Sequence, residues 1–337
     1  MTTVGIGIVG YGYWGPNLAR NIAKGPGTSL VAICDKAANC LEEAGRSHPQ
    51  VKLTADYDEL LANPSIDAII IATPVSSHYQ LASAAMAAGK HVLVEKPIAA
   101  SASEACRLID QASAQKRVLM VDHTFVFTGA VNKIRELIRE ESFGQLQYYD
   151  SARANLGNFQ PDANVLWDLA VHDLSIMNFV MGVSPVAVSA TGLSHVSGHR
   201  VNTAYMTLYF AANVIGHISV NWLSPVKIRR TLVGGSGRMI VYDDNETSEK
   251  VKVFDSGITV TADRHELYKI LISYRTGDMW APKVDGTEAL WRVVQHFREC
   301  IVDGKVPLCG GEQGLGIVRT LEAADESMRQ RGAPVSL

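Results

Sequence analysis

Val4-Gly5-Ile6-Gly7-Ile8-Val9-Gly10-Tyr11-Gly12-Tyr13-Trp14-Gly15-Pro16 runs from a short apolar segment through spaced glycines into a helical pattern. The β-branched residues between Val4 and Val9 suit a buried strand. Gly10, Gly12 and Gly15 have the G-x-G-x-x-G spacing in the context it requires, a strand before and a helix after. Gly10 permits a tight turn, Gly12 lets a pyrophosphate approach the backbone, and Gly15 allows close packing of helix on strand. Pro16 stands in the first helical turn, where a missing N–H costs little. The helix N-terminus then offers free N–H groups and the positive end of its dipole to phosphates. Tyr13 and Trp14 sit inside this loop and count with its glycines as expected cofactor contacts. Trp14 either closes over a bound ligand or only packs.

Asp35 lies about 20 residues beyond Gly15, at the end of the second apolar run, Leu30–Cys34. A carboxylate there meets the adenosine ribose hydroxyls of NAD and repels the 2′-phosphate of NADP. The adjacent Lys36 softens that repulsion, so NAD is expected and NADP stays possible. A second turn, Thr73-Pro74-Val75-Ser76-Ser77-His78, follows the apolar run Ile66–Ala72. Strand ends of this kind line the ligand crevice of open α/β sheets, which makes Thr73, Pro74 and His78 further cofactor candidates. His78 also reads as an ordinary residue of a helix N-terminal turn.

Outward from the loop, the first 123 residues alternate apolar runs with helical stretches such as Ser76–Ala88 and Ser101–Gln115. Runs that are apolar on both faces imply a parallel sheet covered on both sides, a doubly wound Rossmann domain over 1–123. From 124 to 337 the pattern changes. A helix over Val131–Glu140 and a helical segment over Val165–Met181 precede six runs with rough alternation, from Val186–Leu193 to Lys250–Phe254. These predict a large, open, mainly antiparallel sheet, with helices over Asp285–Ile301 and Gln313–Arg331 completing an α/β domain. The fold class is therefore α/β.

The composition narrows the function. With 31 basic and 34 acidic residues the net charge is −3, so no basic excess draws the chain to nucleic acid. No apolar run reaches the ~18 residues of a membrane span, and no basic segment precedes the first apolar run. Five scattered cysteines form no C-x-x-C pair, which argues against a disulfide frame or zinc ribbon and for a reducing, cytoplasmic compartment.

Glu95-Lys96-Pro97 follows Gly89-Lys90-His91-Val92 at the end of the fifth apolar run. With the glycine loop and the Thr73-Pro74 turn, this resembles the glucose–fructose oxidoreductase, inositol dehydrogenase and MocA family over nearly the whole chain. The resemblance extends to the helix around His172 and to Glu322-Ala323-Ala324. It implies a Rossmann domain followed by an α/β domain that pairs copies of the chain, as homodimers or homotetramers, through its sheet. It implies hydride exchange between a nicotinamide cofactor and a sugar, sugar nucleotide or cyclic polyol. The family's catalytic lysine maps to Lys96, with Glu95 beside it on the cofactor side, and its D-x-x-x-H signature to Asp168 and His172. Where many members carry glycines before that signature, this chain reads Asp162-Ala163-Asn164-Val165-Leu166-Trp167.

Asp168 and His172 are spaced i, i+4 and share one face of a helix, with Asn164 and Ser175 extending the stripe. A polar stripe on an apolar helix is either a hydrogen-bonded core feature or part of a site. Oxidation of a secondary alcohol releases a proton as the carbonyl forms, and an imidazole, titrating ordinarily near about 6.5, suits that task. Lys96 either stabilises the charge on the reacting oxygen or itself serves as the acid–base group. Asp168 orients the imidazole or shares the proton. Asp and His also ligate metals, but no convincing further ligands accompany them, and no metal is expected. Arg153, Asn155, Asn164 and Lys227 are candidate substrate contacts, Arg153 because a guanidinium suits a carboxylate or phosphate. Two other readings share the resemblance: an NAD-dependent glycosidase and a non-catalytic nucleotide-sensing regulator.

Overall fold

Val4–Val9 forms strand β1, and all six residues are buried. The computed structural model of the chain describes residues 2–157, 159, 163–262 and 270–337. After β1 come α1 (Gly15–Lys24), β2 (Thr28–Cys34), α2 (Ala38–Ser47), β3 (Lys52–Thr54), α3 (Tyr57–Ala62), β4 (Ala68–Ile71), α4 (His78–Ala87), β5 (His91–Glu95), α5 (Ala102–Gln115) and β6 (Leu119–Asp122). The six strands are parallel, in the order β3-β2-β1-β4-β5-β6. The chain order reverses beside β1, so the glycine loop opens at the switch point of the sheet, where such folds bind ligands. β4 and β6 are buried throughout, as strands sandwiched between helices must be. β3 is an edge strand with no apolar run of its own, which is why periodicity does not find it.

The second unit begins with α6 (Gly129–Ile138) and β7 (Leu146–Leu156). A π-helical turn, Leu166–Ala170, leads into α7 (Val171–Met181). Then follow β8 (Ala187–Leu193), β9 (Thr203–Tyr209), β10 (Ile215–Asn221), β11 (Leu223–Gly235), β12 (Met239–Asp243), β13 (Val251–Phe254), β14 (Gly257–Ala262), β15 (Ile270–Arg275) and β16 (Met279–Trp280). With the closing strand β17 (Val335–Ser336), nine of these form one sheet, ordered β16-β13-β12-β11-β7-β10-β9-β8-β17. Only β7 and β10 pair in parallel within it. Alternation sorts its side chains: Tyr149, Ser151 and Arg153 of β7 are buried on the face that α7 covers. Tyr205 and Tyr209 of β9 and Ile215 of β10 are exposed on the other, where Tyr209 and Ile215 stand opposite each other. Asp162, in the stretch before the π turn, lies outside the described residues.

Two helices remain, α8 (Ala289–Val302) and α9 (Gly311–Arg329). The compact units are Met1–Phe127 with Thr287–Glu322, and Thr128–Gly286 with Ala323–Leu337. A single division at 123/124 therefore misses a return of the chain. α8 buries Leu290, Val293, Val294 and Phe297 and packs on α1, where the Glu288 carboxylate accepts from Arg20 at 2.6 Å and from Asn21 at 3.0 Å. Before α9, the Cys309 carbonyl accepts from Val121 N–H at 2.8 Å beside β6.

Candidate functional site

In the first unit, one group of candidate residues is built on the carboxyl edge of the parallel sheet. Gly10 has φ +94°, a left-handed conformation that favours glycine, and a Cβ there would sit 2.5 Å from the Ala72 carbonyl oxygen. A Cβ on Gly15 would sit 2.7 Å from the Gly10 carbonyl oxygen, whereas one on Gly12 meets nothing within 4 Å. The loop is thus tight at its ends and open at its middle, the shape a pyrophosphate needs. Tyr13 and Trp14 are exposed at its tip, their rings perpendicular and 5.2 Å apart. Asp35 ties the loop to β2: one carboxylate oxygen accepts from Tyr11 N–H at 2.6 Å and the other from Ala37 N–H at 2.8 Å. Each oxygen keeps a lone pair for a further donor, so the residue still fits a ribose hydroxyl. Lys36 beside it is exposed. These features fit the phosphates and ribose of NAD.

The turn after β4 is held by side chains. Thr73 and Ser77 hydroxyls lie 2.7 Å apart, and Pro74 is exposed. His78 is fully buried, with Nδ1 2.8 Å from the Pro97 carbonyl oxygen and Nε2 2.8 Å from that of Thr73. Its expected cofactor contact therefore gives way to a bridging role, joining the Thr73 turn to the turn that follows Lys96. Lys96 itself is half-buried at the end of β5 and precedes a cis peptide to Pro97.

Glu95 belongs to the interior rather than to a cofactor surface. It pairs in register with Asp122 on β6, and both are buried. Burial, then the Asp122 carboxylate, pushes Glu95 well above the usual carboxylate range, against the Lys96 ammonium. Burial raises Asp122 to about 6 although its Oδ1 accepts from Thr124 at 2.8 Å. His123, 1% exposed, is lowered to about 3 by burial and then by Lys96. Among the described residues, the His123 ring nitrogens and Asp122 Oδ2 have no hydrogen-bond partner.

In the second unit, another group of candidate residues lies around the π turn. Asp168 and His172 are half-buried, and Asp168 Oδ2 accepts from the Trp222 indole N–H at 3.0 Å. The Ser175 hydroxyl donates to the His172 carbonyl oxygen at 2.7 Å. The turn from 166 to 170 is π rather than α, so Asp168 and His172 do not keep the offset of one straight helix.

Two expected substrate contacts are occupied otherwise. Arg153, 3% exposed, donates from Nε to Asp173 Oδ2 at 2.7 Å and from Nη2 to Oδ1 at 3.2 Å, while Ser151 adds a bond to Oδ1 at 2.6 Å. Burial opposes this guanidinium's charge, but Asp173 outweighs it and the Arg153 pKa is raised. Its position on the covered face of β7, in step with Tyr149 and Ser151 in the alternation, is the signal that foretells this. Asn164 spends its amide on the chain: Oδ1 accepts from Leu166 N–H at 2.9 Å and Nδ2 donates to Asp325 at 2.7 Å. Asn155 is half-buried and Lys227 exposed, and both remain available as contacts. Asp173, Trp222 and Asp325 carry more of this second group than sequence reasoning assigns them. Among the described residues no group of three or more His, Cys, Asp or Glu is arranged to hold a metal, and no helix is long and apolar enough to cross a membrane.

Comparison with known proteins bears on both units. Residues 4–123 match the description "Oxidoreductase family, NAD-binding Rossmann fold" and residues 135–337 match "Oxidoreductase family, C-terminal alpha/beta domain". The chain is 33% identical over 208 residues to UDP-N-acetylglucosamine 3-dehydrogenase of Acidithiobacillus ferrooxidans, covering 60% of this chain and 62% of the relative. It is 24% identical to scyllo-inositol 2-dehydrogenase (NAD(+)) of Bacillus subtilis, over 99% of this chain and 95% of the relative. In fold it is similar to the crystal structure of GenD2 from gentamicin A biosynthesis in complex with NAD, with a TM-score of 0.84 at 22% identity over 100% of this chain and 97% of the other. The chain belongs to the glucose–fructose oxidoreductase, inositol dehydrogenase and MocA family of NAD-binding oxidoreductases.

Proposed function

We propose that the chain is a dehydrogenase exchanging a hydride between NAD and a secondary alcohol of a sugar, sugar nucleotide or cyclic polyol. The observation that carries this reading is the carboxyl edge of one parallel sheet, which presents an open glycine loop, an anchored Asp35 and the Lys96 side chain. Relatives whose names specify UDP-N-acetylglucosamine and scyllo-inositol support the substrate class.

When bound, NAD supplies the hydride acceptor. Gly10, Gly12 and Gly15 take its phosphates, Asp35 its ribose hydroxyls, and Tyr13, Trp14, Thr73 and Pro74 flank it. The Asp35 carboxylate disfavours a 2′-phosphate, so NAD is the preferred cofactor; Lys36 leaves NADP as the weaker one. Lys96 donates a hydrogen bond to the reacting oxygen and stabilises its developing charge. His172 accepts the hydroxyl proton, with Asp168 orienting the imidazole or sharing the proton. Asn155 and Lys227 are proposed substrate contacts. The exposed Tyr205, Tyr209 and Ile215 support homo-oligomer formation through the large sheet, and the free cysteines support a reducing, cytoplasmic setting.

The test is NADH formation or consumption against a panel of sugars, inositols and sugar nucleotides. Lys96→Ala is expected to lower kcat by about 10²–10⁴-fold. Near-normal turnover in that variant counts against Lys96. Glycosidic cleavage without net NADH identifies the glycosidase reading, and cofactor binding without any turnover identifies the regulator.

A further inference from the structure

A π turn is rare, and as a single turn it occurs frequently at functional sites. Its i→i+5 bonding is poorer than the α ladder that the flanking residues of α7 adopt, so something outside the ladder must hold it. For Leu166–Ala170 the holding groups are visible. Asn164 caps the turn, its Oδ1 accepting from Leu166 N–H at 2.9 Å and Trp167 N–H at 3.3 Å. Its Nδ2 donates to Asp325 Oδ1 at 2.7 Å. The other oxygen of Asp325 accepts from the Trp167 indole N–H, also at 2.7 Å. One carboxylate on α9 thus grips the turn at residues 164 and 167, one oxygen to each donor.

The next residue along is Asp168, whose Oδ2 accepts from the Trp222 indole N–H at 3.0 Å. Trp222 is a rigid partner. It is 1% exposed, its N–H donates to the Asn202 carbonyl oxygen at 2.9 Å, and its own carbonyl oxygen accepts from Gly157 N–H at 3.1 Å. Asp325 and Trp222 meet the turn at different residues. The register between them is set by the π geometry, because a shift of one residue on a helix swings a side chain by about 100°.

We propose that Asp325 is a positioning residue that holds the Leu166–Ala170 turn in its π form and so delivers the Asp168 carboxylate to Trp222. Its relevance to turnover rests on the reading of Asp168 as a reacting group given above. Without the Asp325 carboxylate, the Asn164 amide and the Trp167 indole lose a shared acceptor. The turn then relaxes toward an α ladder, and Asp168 rotates off the indole.

The test uses the full-length protein with ¹⁵N-labelled tryptophan, the five indole N–H signals being assigned by Trp→Phe variants. In Asp325→Ala the Trp222 indole signal is expected to shift as it does in Asp168→Ala, and its solvent exchange to quicken by roughly ten-fold. Asp325→Asn keeps one acceptor and gives a smaller change in the same direction. Trp167→Phe removes one of the two donors and does likewise, which keeps the test open should the alanine variant fold poorly. In the same variants kcat falls by roughly 10–100-fold while KM for NAD stays constant. A Trp222 signal unmoved in Asp325→Ala, with the Trp167 signal displaced, overturns the proposal. A displaced Trp222 signal with unchanged kcat upholds the coupling and counts instead against Asp168 as a reacting group.

Discussion

Glu95 and Asp122 place two carboxyl groups side by side on neighbouring buried strands, and that arrangement has a measurable cost. Both are raised above their unfolded values, Asp122 to about 6 and Glu95 further, burial being the first cause in each. The folded chain therefore holds protons that the unfolded chain has released above pH ~4. This contribution to stability is present at low pH and lost as pH rises through the folded values. His91, lowered to about 4 by burial and then Arg117, and His123, lowered to about 3, act in the opposite sense. Their contribution is full above about 6.5 and lost as pH falls toward the folded values. Substituting Asp122→Asn leaves an acceptor for Thr124 and removes one buried charge. Thermal melts are expected to show the variant gaining on the parent as pH rises from about 4 to about 8. A difference in Tm that does not change with pH would remove this account. None of the pairing is legible along the chain, because Glu95 and Asp122 are 27 positions apart and meet only through strand register.

At the scale of elements, the decisive feature is how β7 and α7 are joined. Asp173, in the first turn of α7, takes three hydrogen bonds from Arg153 and Ser151 on β7, all buried. This ion pair anchors the helix that carries His172. Replacing Asp173 by Asn leaves the Arg153 charge without its counter-ion in the interior, where the expected loss is about 3–5 kcal/mol. Denaturant unfolding checks it, and a loss under about 1 kcal/mol would mean that the guanidinium finds another acceptor. The D-x-x-x-H spacing correctly puts Asp168 and His172 on one helical segment, but the spacing carries no sign of the π turn. That turn depends on Asp325, 157 residues downstream of Asp168. Arg153 illustrates the reverse case. Its charge reads as a surface group, while its place in the alternation of β7 reads as buried, and the burial prevails because Asp173 is there to meet it.

For the whole molecule, the outward face of the nine-stranded sheet is the surface to test. Tyr205, Tyr209 and Ile215 are 51%, 38% and 50% exposed, an apolar group that a second copy of the chain would cover. A Tyr205→Arg, Ile215→Asp double variant is expected to sediment as a monomer if the parent is a dimer or tetramer. An unchanged sedimentation coefficient would put the contact elsewhere. Both sheets were legible in the sequence. Runs apolar on both faces can only be a covered parallel sheet, and alternating runs only a sheet with one open face. The return of residues 287–322 to the first unit was not, because α8 has an apolar stripe that any sheet or helix could cover, and the partners that fix it are distant in sequence: Arg20 and Asn21 donate to Glu288, and Arg298 donates to the Gly27 and Thr2 carbonyl oxygens.

Local patterns by themselves determined the glycine loop and the two sheet types, since each follows from steric limits on neighbouring residues, whereas Lys96, Asp168 and His172 stand out only through the resemblance to a known family. Tertiary structure alone decided which partners meet the polar side chains of Arg153, Asn164, His78 and Glu95. A polar group's role is set by the partner it finds, and these partners come from distant parts of the chain.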